Sequence, residues 1–422
     1  MTFGEAEKIL VSRQDFVKKE GLGRVYACLE KLGDPHLAIK TVHVTGTNGK
    51  GSVCALFESA ARASGLKTGL FISPHLVSMT ERISVNGRRI GEEAFAALFD
   101  EVYKAGPDLS FFELLTCMAF LHFRRERTDL AVIEVGIGGL LDTTNVLPKP
   151  ELCVITSVDF DHKQYLGSTL GEIAAQKAGI IKEGGICLAP ILPAEARAEV
   201  LKAAQAKGAQ ARFFAPVFEI VSRDWENNRA TLRHKKTGEE FVLGISGDAQ
   251  VSNATLVWEG FELLRGLGWP VSKAGAAAGF AAVRWPARFQ ALRSGGALFV
   301  VDGAHNDEAA RAFARTWAAS PFAGRSPAFV IGILQDKERR GILEALAPLS
   351  DRFIFTRPDS PRAADPCALA DEMAALRPDA DIEVQHEASA ALASAALAGT
   401  AAVVGSFYLA GEALELLAEK VS

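Results

Sequence analysis

The chain has 422 residues and a formal net charge of −5 at pH 7. At roughly 150 residues per domain this length predicts two or three domains. The negative balance disfavours a general nucleic-acid binder, because affinity for a phosphate backbone needs a basic excess. We therefore expect a small-molecule ligand and no nucleic-acid partner.

The cysteines and the N-terminus favour a soluble, cytoplasmic protein. The six cysteines lie far apart with no C-x-x-C pair, so we interpret them as reduced core residues. The stretch MTFGEAEKILVSRQDF carries charges throughout, and the chain has no run of about 18 uncharged apolar residues. We expect no signal peptide and no membrane partner.

The first half of the chain alternates short β-rich runs with helical patterns. The runs are TVHVTG, TGLFIS, DLAVIEVG, LCVITSVDF and GICLAP. Continuous apolar strands of this kind are typical of a parallel sheet covered on both faces. Between the first two runs an amphipathic helix is predicted, which Gly65 can end. Its apolar positions are Val53, Leu56, Phe57 and Ala60.

The stretch TVHVTGTNGKGS, from Thr41 to Ser52, lies between that strand and that helix. It is shorter than the usual phosphate loop G-x-x-x-x-G-K-[ST], which would need glycine at Val44. Its glycines would let backbone N–H groups approach phosphate oxygens, Lys50 would neutralise them, and Ser52 could ligate Mg²⁺. The alternative is a glycine-rich turn with a solvated lysine, but the strand–loop–helix context favours nucleotide binding.

Polar residues follow the predicted strands where ligand sites of open α/β sheets lie. They are Ser73, Glu134, Asp161 and His162. Together they could hold one or two divalent ions beside a triphosphate, although imidazole is not the commonest Mg²⁺ ligand. Taken singly, Ser73 is better explained as a turn residue, and His162 stays open between ligand and structural residue.

Lys177 lies in a segment, STLGEIAAQKAGIIKEGG, that opens with Thr169 and Glu172 at capping-box spacing. The inward positions of the predicted helix are Ile173, Lys177, Ile180 and Ile181. A desolvated lysine has a lowered pKa and can react with carbon dioxide to form a carbamate. From periodicity alone, a lysine whose stem lies along the core is the better explanation.

From Phe218 to Ile245 the pattern predicts a small antiparallel meander attached to the first sheet, with turns at Asn227-Asn228 and Thr237-Gly238. After VRWPARFQALRSGG a second α/β series begins, and we place the domain boundary near Trp285 and Pro286. The predicted domains are therefore 1–284 and 285–422. The alanine-rich tract 388–402 is interpreted as a helix leading to a strand.

The second series also carries polar residues just past its predicted strands. They are Asp302, His305 and Asn306 in VVDGAHN, and Asp336 and Lys337 in ILQDKE. Arg288 lies in the expected hinge, where an arginine could reach a phosphate. Each of these residues could also be a plain surface charge.

Taken together, the motifs resemble those of folylpolyglutamate synthases and dihydrofolate synthases, members of the Mur-type ligase superfamily. The matching stretches are VTGTNGKGS, SPHL, ERISVNGRRI, FFELLTCMAF, EVGIGGLLDTTN, DFDHKQYLG, IAAQKAGIIK, WPARF and VVDGAHN. They follow in the family's order from about Thr41 to Tyr408. The shortened phosphate loop is that superfamily's form.

The resemblance implies an α/β protein with a P-loop-type, mostly parallel sheet domain, a small antiparallel appendage and a smaller Rossmann-like C-terminal domain. It implies an ATP-dependent amide ligase. A pterin carboxylate takes the γ-phosphoryl group to give an acyl phosphate, which the α-amine of L-glutamate attacks. The cofactors implied are ATP and Mg²⁺, with a monovalent cation as a further candidate.

The resemblance also assigns roles to residues. The ATP-binding positions are Gly46, Thr47, Asn48, Gly49, Lys50, Gly51, Ser52, Asn253, Arg288, Asp302 and His305. The metal positions are Ser52, Ser73, Glu134 and His162. Lys177 matches a lysine that is carbamylated in the family, which reverses the interpretation from periodicity, and the catalytic candidates are Lys50, Lys177 and His162. The segment Pro74–Ile90 would border the pterin site, with Pro74, His75, Arg82 and Phe112 as substrate contacts.

Two positions depart from the family pattern. Leu140 stands where the family commonly has an arginine, and Ala249 replaces a histidine, while Gln250 and Asn253 are kept. Neither change touches a proposed phosphate or metal position. They affect the details of substrate and nucleotide binding.

Three alternatives compete with a bifunctional enzyme that makes both dihydrofolate and folylpolyglutamate. A cell-wall peptide ligase would need an additional N-terminal domain, and only about 40 residues precede the phosphate loop at Gly46. A non-catalytic nucleotide-dependent switch would not need a second domain or an acceptor site. An enzyme with folylpolyglutamate synthase activity alone remains open. We expect a monomer.

Overall fold

The computed structural model describes residues 1–14 and 21–419. The chain divides into two compact units. The first comprises Met1–Glu219, His234–Gly238 and Val251–Val283. The second comprises Ile220–Arg233, Glu239–Gln250 and the chain from Arg284 onward. The domain limits 1–284 and 285–422 remain a prediction.

The first unit is built on an eight-stranded sheet with the order β4-β3-β2-β5-β1-β6-β7-β8. Its strands are β1 (Thr41–Thr45), β2 (Thr68–Phe71), β3 (Ile83–Val85), β4 (Arg88–Arg89), β5 (Leu130–Glu134), β6 (Leu152–Ile155), β7 (Ile186–Pro190) and β8 (Gln210–Phe214). Only β3 and β4 run antiparallel to their neighbours. The predicted, mostly parallel sheet is therefore confirmed.

The register of this sheet brings the strand ends together. Val44 of β1 lies opposite Glu134 of β5 on one side and Val154 of β6 on the other. Because these strands are parallel, their carboxyl ends meet at one edge of the sheet. The loops that follow β1, β5 and β6 therefore begin side by side.

Helices cover the first sheet. They are α1 (Phe3–Val11), α2 (Gly23–Lys31), α3 (Lys50–Ala63), α4 (Glu92–Ala105), α5 (Phe111–Glu126), α6 (Lys163–Leu166), α7 (Leu170–Ala178), α8 (Ala194–Ala206), α9 (Ala249–Gly266) and α10 (Lys273–Ala282). One apolar core joins α1, α2, α4 and α5 to β2 and β5, and another joins α7 and α8 to β6 and β7. Ile133 of the first core and Cys153 of the second both pair with His43 of β1, so the two cores lie side by side on one face of the sheet.

Helix α3 differs from its prediction, because it is buried on nearly all sides instead of one. Every residue from Ser52 to Ala61 is buried. The cause is α10, which packs so closely that a Cβ on Gly279 would lie 2.3 Å from the Cα of Ala60. Ser59 Oγ also donates to the Gly279 carbonyl at 2.8 Å. The helix that follows the phosphate loop is therefore a central element of the unit.

The predicted meander forms a three-stranded antiparallel sheet with the order β11-β10-β9. Its strands are β9 (Phe218–Asp224), β10 (Arg229–His234) and β11 (Glu240–Leu243). Asn228 and Gly238 have positive φ at the predicted turns. Most of this sheet belongs to the second unit, where Trp225 packs on Phe289 with ring centroids 5.4 Å apart.

The second unit contains a six-stranded sheet with the order β12-β13-β17-β14-β15-β16, in which only β12 is antiparallel. The strands are β12 (Gln290–Ser294), β13 (Ala297–Val301), β14 (Ala328–Ile331), β15 (Arg352–Phe355), β16 (Asp381–Val384) and β17 (Thr400–Val404). The helices are α11 (Asp307–Ala318), α12 (Arg339–Leu346), α13 (Pro366–Leu376), α14 (Ala388–Ala396) and α15 (Phe407–Glu419). The alanine-rich tract forms α14 and β17, as predicted.

The cysteine prediction needs one correction. Five cysteines are buried, but Cys367 at the start of α13 is exposed. It lies on the solvent side of a helix whose inward positions are Leu369, Ala370 and Met373.

Within the described part of the chain, no helix is long and apolar enough to cross a membrane.

Candidate functional site

The phosphate-loop stretch connects β1 to α3 with its main chain tightly packed. Gly49 has φ +84 and precedes the first residue of α3. A Cβ at Gly46 would lie 1.8 Å from Thr156 Oγ1, and one at Gly49 would lie 2.7 Å from Asn253 Oδ1. Glycine is required at both positions because the neighbouring side chains fill the space. The amides of the loop lie at the N-terminus of α3, where backbone N–H groups and the helix dipole favour an anion.

Residues after β6 support this loop, and sequence reasoning missed them. Asn48 N donates to Ser157 Oγ at 2.8 Å. Thr47 Oγ1 donates to the Asp159 carbonyl and accepts from Asp159 N, each at 3.0 Å. The TSVDF run that follows β6 was a detectable signal, because its hydroxyl and carboxyl groups lie at the same sheet edge as the loop.

Lys50 and Ser52 lie in the first turn of α3. Lys50 Nζ donates to the carbonyls of Gly46 and Thr47 at 3.1 and 3.2 Å, so its ammonium group lies over the loop. Ser52 is buried, with only 1% of its surface exposed. A lysine in this position places positive charge at the anion-binding end of the helix.

Glu134 and Ser73 are brought together at the ends of β5 and β2. Ser73 N donates to Glu134 Oε2 at 2.9 Å, and Glu134 is 2% exposed. The pKa of the Cys54 thiol on α3 reflects the charges near that thiol. Burial raises its pKa, the Glu134 charge raises it further and Lys50 lowers it. A buried carboxylate and the phosphate-loop lysine therefore lie near the same segment of α3.

Lys177 is buried, with 2% of its surface exposed, and the predicted capping box at Thr169 and Glu172 is present. Burial lowers the pKa of Lys177 well below its ordinary value, the charge of Lys50 lowers it further, and Asp161 opposes the shift. These interactions show that the loop after β6, the phosphate loop and α7 converge. Within the described chain, Lys177 Nζ donates no hydrogen bond. The arrangement favours a neutral amine.

His162 is the N-cap residue of the short helix α6 and has φ +49. Its backbone N donates to Asp161 Oδ1 at 2.8 Å, and its Nε2 lies 3.9 Å from the same oxygen. Asp161 in turn acts on Lys177. His162 is therefore connected to Lys177 through Asp161, which interacts with both residues.

The predicted substrate contacts form two aromatic groups. Arg82 Nε donates to His75 Nδ1 at 2.8 Å, and the Arg82 guanidinium lies 5.1 Å from the centre of the Phe111 ring. Burial and the Arg82 charge lower the pKa of His75 to about 3, so its ring is neutral. Phe112 packs on Phe71 with ring centroids 5.7 Å apart. Pro74 joins His75 directly to Ser73.

In the second unit, Arg288 and His305 contact the same aromatic ring. The Arg288 guanidinium lies 4.7 Å from the centre of Phe407, and the His305 ring centroid lies 5.0 Å from it. Asp302 Oδ2 and Oδ1 accept from the backbone N atoms of Phe289 and Ala304. Burial raises the pKa of Asp302, and Arg288 opposes that shift. Sequence reasoning missed Phe407, which follows the sixth strand in chain order.

Two of the other three strand-end predictions of this unit, Asn306 and Asp336, have structural partners. Asn306 caps α11, accepting from Ala309 N at 2.9 Å. Asp336 Oδ2 forms an ion pair with Arg362 at 2.7 Å. Asn306 thus fixes the backbone at the start of α11, and Asp336 fixes the Arg362 side chain.

Comparison with known proteins decides the family. The Mur ligase middle domain matches residues 44–258, and the Mur ligase glutamate ligase domain matches residues 287–406. The dihydrofolate synthase/folylpolyglutamate synthase of Mycobacterium tuberculosis is 35% identical over 83% of this chain and 76% of its own length. The enzyme of the same name from Bacillus subtilis is 32% identical over 86% of each chain.

The chain belongs to the folylpolyglutamate synthase and dihydrofolate synthase family of Mur ligases. Its fold is similar to that of the M. tuberculosis folylpolyglutamate synthase complexed with ADP, with a TM-score of 0.87, 31% identity and 98% of each chain covered. This chain is an ATP-dependent ligase.

The two departures of this ligase from the family pattern lie in different elements. The Leu140 side chain is 45% exposed, while its backbone N donates to the Gln176 carbonyl at 2.7 Å. Ala249 is the first residue of α9, one turn before Asn253. Asn253 itself lies against Gly49 of the phosphate loop.

Proposed function

We propose that this ligase joins L-glutamate to pterin carboxylates and is bifunctional, converting dihydropteroate to dihydrofolate and a folate to folylpolyglutamate. The single observation that supports it best is the convergence of Lys50, Asp161 and Lys177, with Glu134 beside the same helix. The names of the relatives supply the substrate class. The proposal includes a monomeric, cytoplasmic enzyme with no nucleic-acid or membrane partner.

The reaction must activate a carboxylate, which is a poor electrophile. A carboxylate oxygen of the pterin substrate attacks the γ-phosphorus of ATP, which forms an acyl phosphate and releases ADP. The glutamate amine then attacks the acyl carbon and loses a proton, and inorganic phosphate leaves. Positioning and charge stabilisation account for most of the catalysis of phosphoryl transfer.

The phosphate loop would hold the triphosphate. Residues Gly46 to Ser52 present backbone N–H groups at the start of α3. Lys50 Nζ would exchange its contacts with the Gly46 and Thr47 carbonyls for phosphate oxygens. We propose that Asn253 borders the nucleotide from α9. The resemblance also assigns Arg288, Asp302 and His305 to ATP, and that assignment stays a prediction.

Mg²⁺ fits the residues proposed for it. Glu134 is a buried carboxylate, and a buried charge needs a compensating partner. Ser52, Ser73 and His162 would complete the protein ligands. Mg²⁺ usually keeps several waters and binds through one or two carboxylates and substrate phosphate oxygens. Residues 1–14 and 21–419 contain no group of three or more His, Cys, Asp and Glu side chains arranged for a metal. When bound, the ion would neutralise phosphate charge.

Lys177 would act as a carbamate. The neutral amine attacks carbon dioxide, a proton is released, and the resulting N-carboxylate carries one negative charge. That charge would face Lys50, whose positive charge already acts on Lys177. The negative charge of the carbamate would thereby replace the repulsion between Lys50 and Lys177 with an attraction.

The acceptor would bind beside the His75, Arg82 and Phe112 contacts. Phe112 offers an aromatic face for a pterin or benzoyl ring. Arg82 keeps its positive charge next to the neutral His75 ring, which suits a substrate that carries carboxylates.

Coupled ADP release tests the proposal. The enzyme is assayed with MgATP and L-glutamate, once with dihydropteroate and once with tetrahydrofolate. Activity with both acceptors supports the bifunctional ligase. Activity with tetrahydrofolate alone supports the second candidate, a folylpolyglutamate synthase. Tight ATP binding with no ADP release would point instead to a nucleotide-dependent switch.

A further inference from the structure

The loop from Gly136 to Asn145 contacts three segments of the proposed site. Thr45 Oγ1, at the end of β1, donates to the Gly138 carbonyl at 2.5 Å. A Cβ at Gly136 would lie 2.7 Å from the Phe112 ring. A Cβ at Gly139 would lie 2.8 Å from the Gln176 carbonyl oxygen and 2.9 Å from that of Lys177. The loop therefore packs against the strand before the phosphate loop, the proposed acceptor site and the last turn of α7.

The side chain of Asn145 connects this loop to the end of α7. Its Nδ2 donates to the Leu140 carbonyl at 3.0 Å and to the Gly179 carbonyl at 3.2 Å. Asn145 is buried, and Lys182 Nζ donates to its backbone carbonyl at 2.8 Å. One amide group thus connects the loop to the C-cap residue of α7.

The last turn of α7 depends on such contacts. The final carbonyls of a helix have no partner within the helix. Here Leu140 N satisfies the Gln176 carbonyl and Asn145 satisfies that of Gly179. Lys177 lies between these two anchored residues. Its own amine makes no hydrogen bond within the described chain, so backbone anchoring fixes where the side chain starts.

We propose that Asn145 is a positioning residue for Lys177. By anchoring Gly179 and Leu140 together, its amide holds the last turn of α7 against the loop and sets the place of the Lys177 amine relative to the phosphate loop. The inference rests on the proposed role of Lys177. The residue acts through the helix end, where its amide donates to the Gly179 and Leu140 carbonyls.

The test uses Asn145→Asp, which keeps the size of the side chain and removes both donated hydrogen bonds. We expect kcat to fall about 10- to 100-fold, the scale of a small misplacement of a reacting group, with the KM for ATP within about twofold of wild type. The phosphate loop keeps its separate support from Ser157 and Asp159. A rise in the KM for ATP equal to the loss of kcat would indicate general disruption and would overturn the inference.

Ser59→Ala is the matched control, because it also removes a buried hydrogen bond from a side chain to a backbone carbonyl. Its kcat should stay within about twofold of wild type, since the loss lies between α3 and α10. Circular dichroism and thermal unfolding of every variant check the fold. Should Asn145→Asp not fold, Asn145→Ala replaces it, with the same expectations.

A double-mutant cycle with Lys177→Ala decides whether Asn145 acts through Lys177. In the Lys177→Ala background, Asn145→Asp should change the residual kcat by less than about twofold. Full multiplication of the two effects would overturn the inference.

Failure of the proposed function and failure of this inference give different results. Absence of ligase activity in the wild type refutes the proposed function, wild-type turnover of Lys177→Ala refutes the role of Lys177, and unchanged kcat of Asn145→Asp in an active enzyme refutes only the positioning role.

Discussion

At the scale of single residues, the unusual feature is a lysine inside an apolar core. Lys177 lies among Ile173, Ile180 and Ile181, all of which are fully buried. Burying an unpaired ammonium group is costly, and the pKa of Lys177 is accordingly lowered. The proposed carbamate would remove this cost, because it replaces the buried ammonium group with a charge opposite to that of Lys50.

Lys177→Ala should separate this function from stability. We expect kcat to fall at least about 100-fold, because removing a group that acts in phosphoryl transfer costs several kcal/mol. The thermal midpoint should not fall by more than a few degrees, since the variant also removes a desolvated amine. Steady-state ADP release and thermal unfolding measure the two effects. Lys202→Ala, on the exposed surface of α8, is the control, and near-normal turnover of Lys177→Ala would remove the carbamate from the mechanism.

His43 provides a pH-dependent test of the same unit. It lies in β1, and its Nε2 is 2.8 Å from Thr144 Oγ1. Burial and the charge of Lys182 lower the pKa of His43 to about 3. An exposed histidine in the unfolded chain has a pKa near 6.5, so between these values the unfolded chain binds more protons. The contribution of His43 to stability is therefore complete above pH 6.5 and declines as the pH falls towards 3.

His43→Gln keeps a side-chain donor but cannot take up the proton. Between pH 7 and pH 5, the variant should lose about 2 kcal/mol less unfolding free energy than the wild type. Urea unfolding at both pH values, followed by circular dichroism, measures the difference. An equal loss in both proteins would show that His43 is not held neutral in the folded state.

At the scale of elements, the contact between α3 and α10 buries the helix that follows the phosphate loop. The two helices meet at Gly279, and Ser59 is 220 positions away from it in sequence. An amphipathic pattern shows one apolar face and cannot reveal a partner helix so distant in the chain. The sequence therefore predicted the existence of α3 but underestimated its burial.

Gly279→Ala tests this packing. The added Cβ would lie 2.3 to 2.6 Å from backbone atoms of Ala60 and Ser59, which cannot move aside as a side chain can. We expect destabilisation of about 1–3 kcal/mol, in spite of the higher helix propensity of alanine. Gly266→Ala, at the end of α9 with nothing within 4 Å, is the control and should be neutral or stabilising. Similar effects of both substitutions in urea unfolding would contradict close packing at Gly279.

The strand-end residues illustrate what was predictable about the site. Parallel strands share one edge, so Ser73 and Glu134 could be placed near the phosphate loop from pattern alone. The supporting contacts of Thr156, Ser157 and Asp159 were not recognised, because short polar residues in a loop carry no periodic signal. The exposure of Leu140 was equally hidden, since it depends on how the loop meets α7.

At the scale of the whole molecule, two units each have their own sheet and core. The alternation of strands and helices predicted both sheets, because parallel strands need helical connections. The assignment of most of the small antiparallel sheet to the second unit depends on side-chain packing such as Trp225 on Phe289. Such contacts join positions far apart in sequence and leave no local pattern.

Thiol reactivity measures the integrity of the first unit. The native protein should react rapidly with a colorimetric thiol reagent at Cys367 alone, because the other five cysteines are buried in the first unit. All six should react in denaturant. Cys367→Ser should abolish the rapid phase without changing the thermal midpoint. Rapid reaction of a second thiol in the native protein would contradict the packing of the first unit.

The loop from Gly136 to Asn145 is anchored by its backbone and by one amide, while the side chains of Ile137, Leu140 and Leu141 remain largely exposed. Natural drift or a saturation library could therefore exchange these three side chains without moving α7. The surface of this loop and its hold on α7 can therefore change independently, because different atoms carry them.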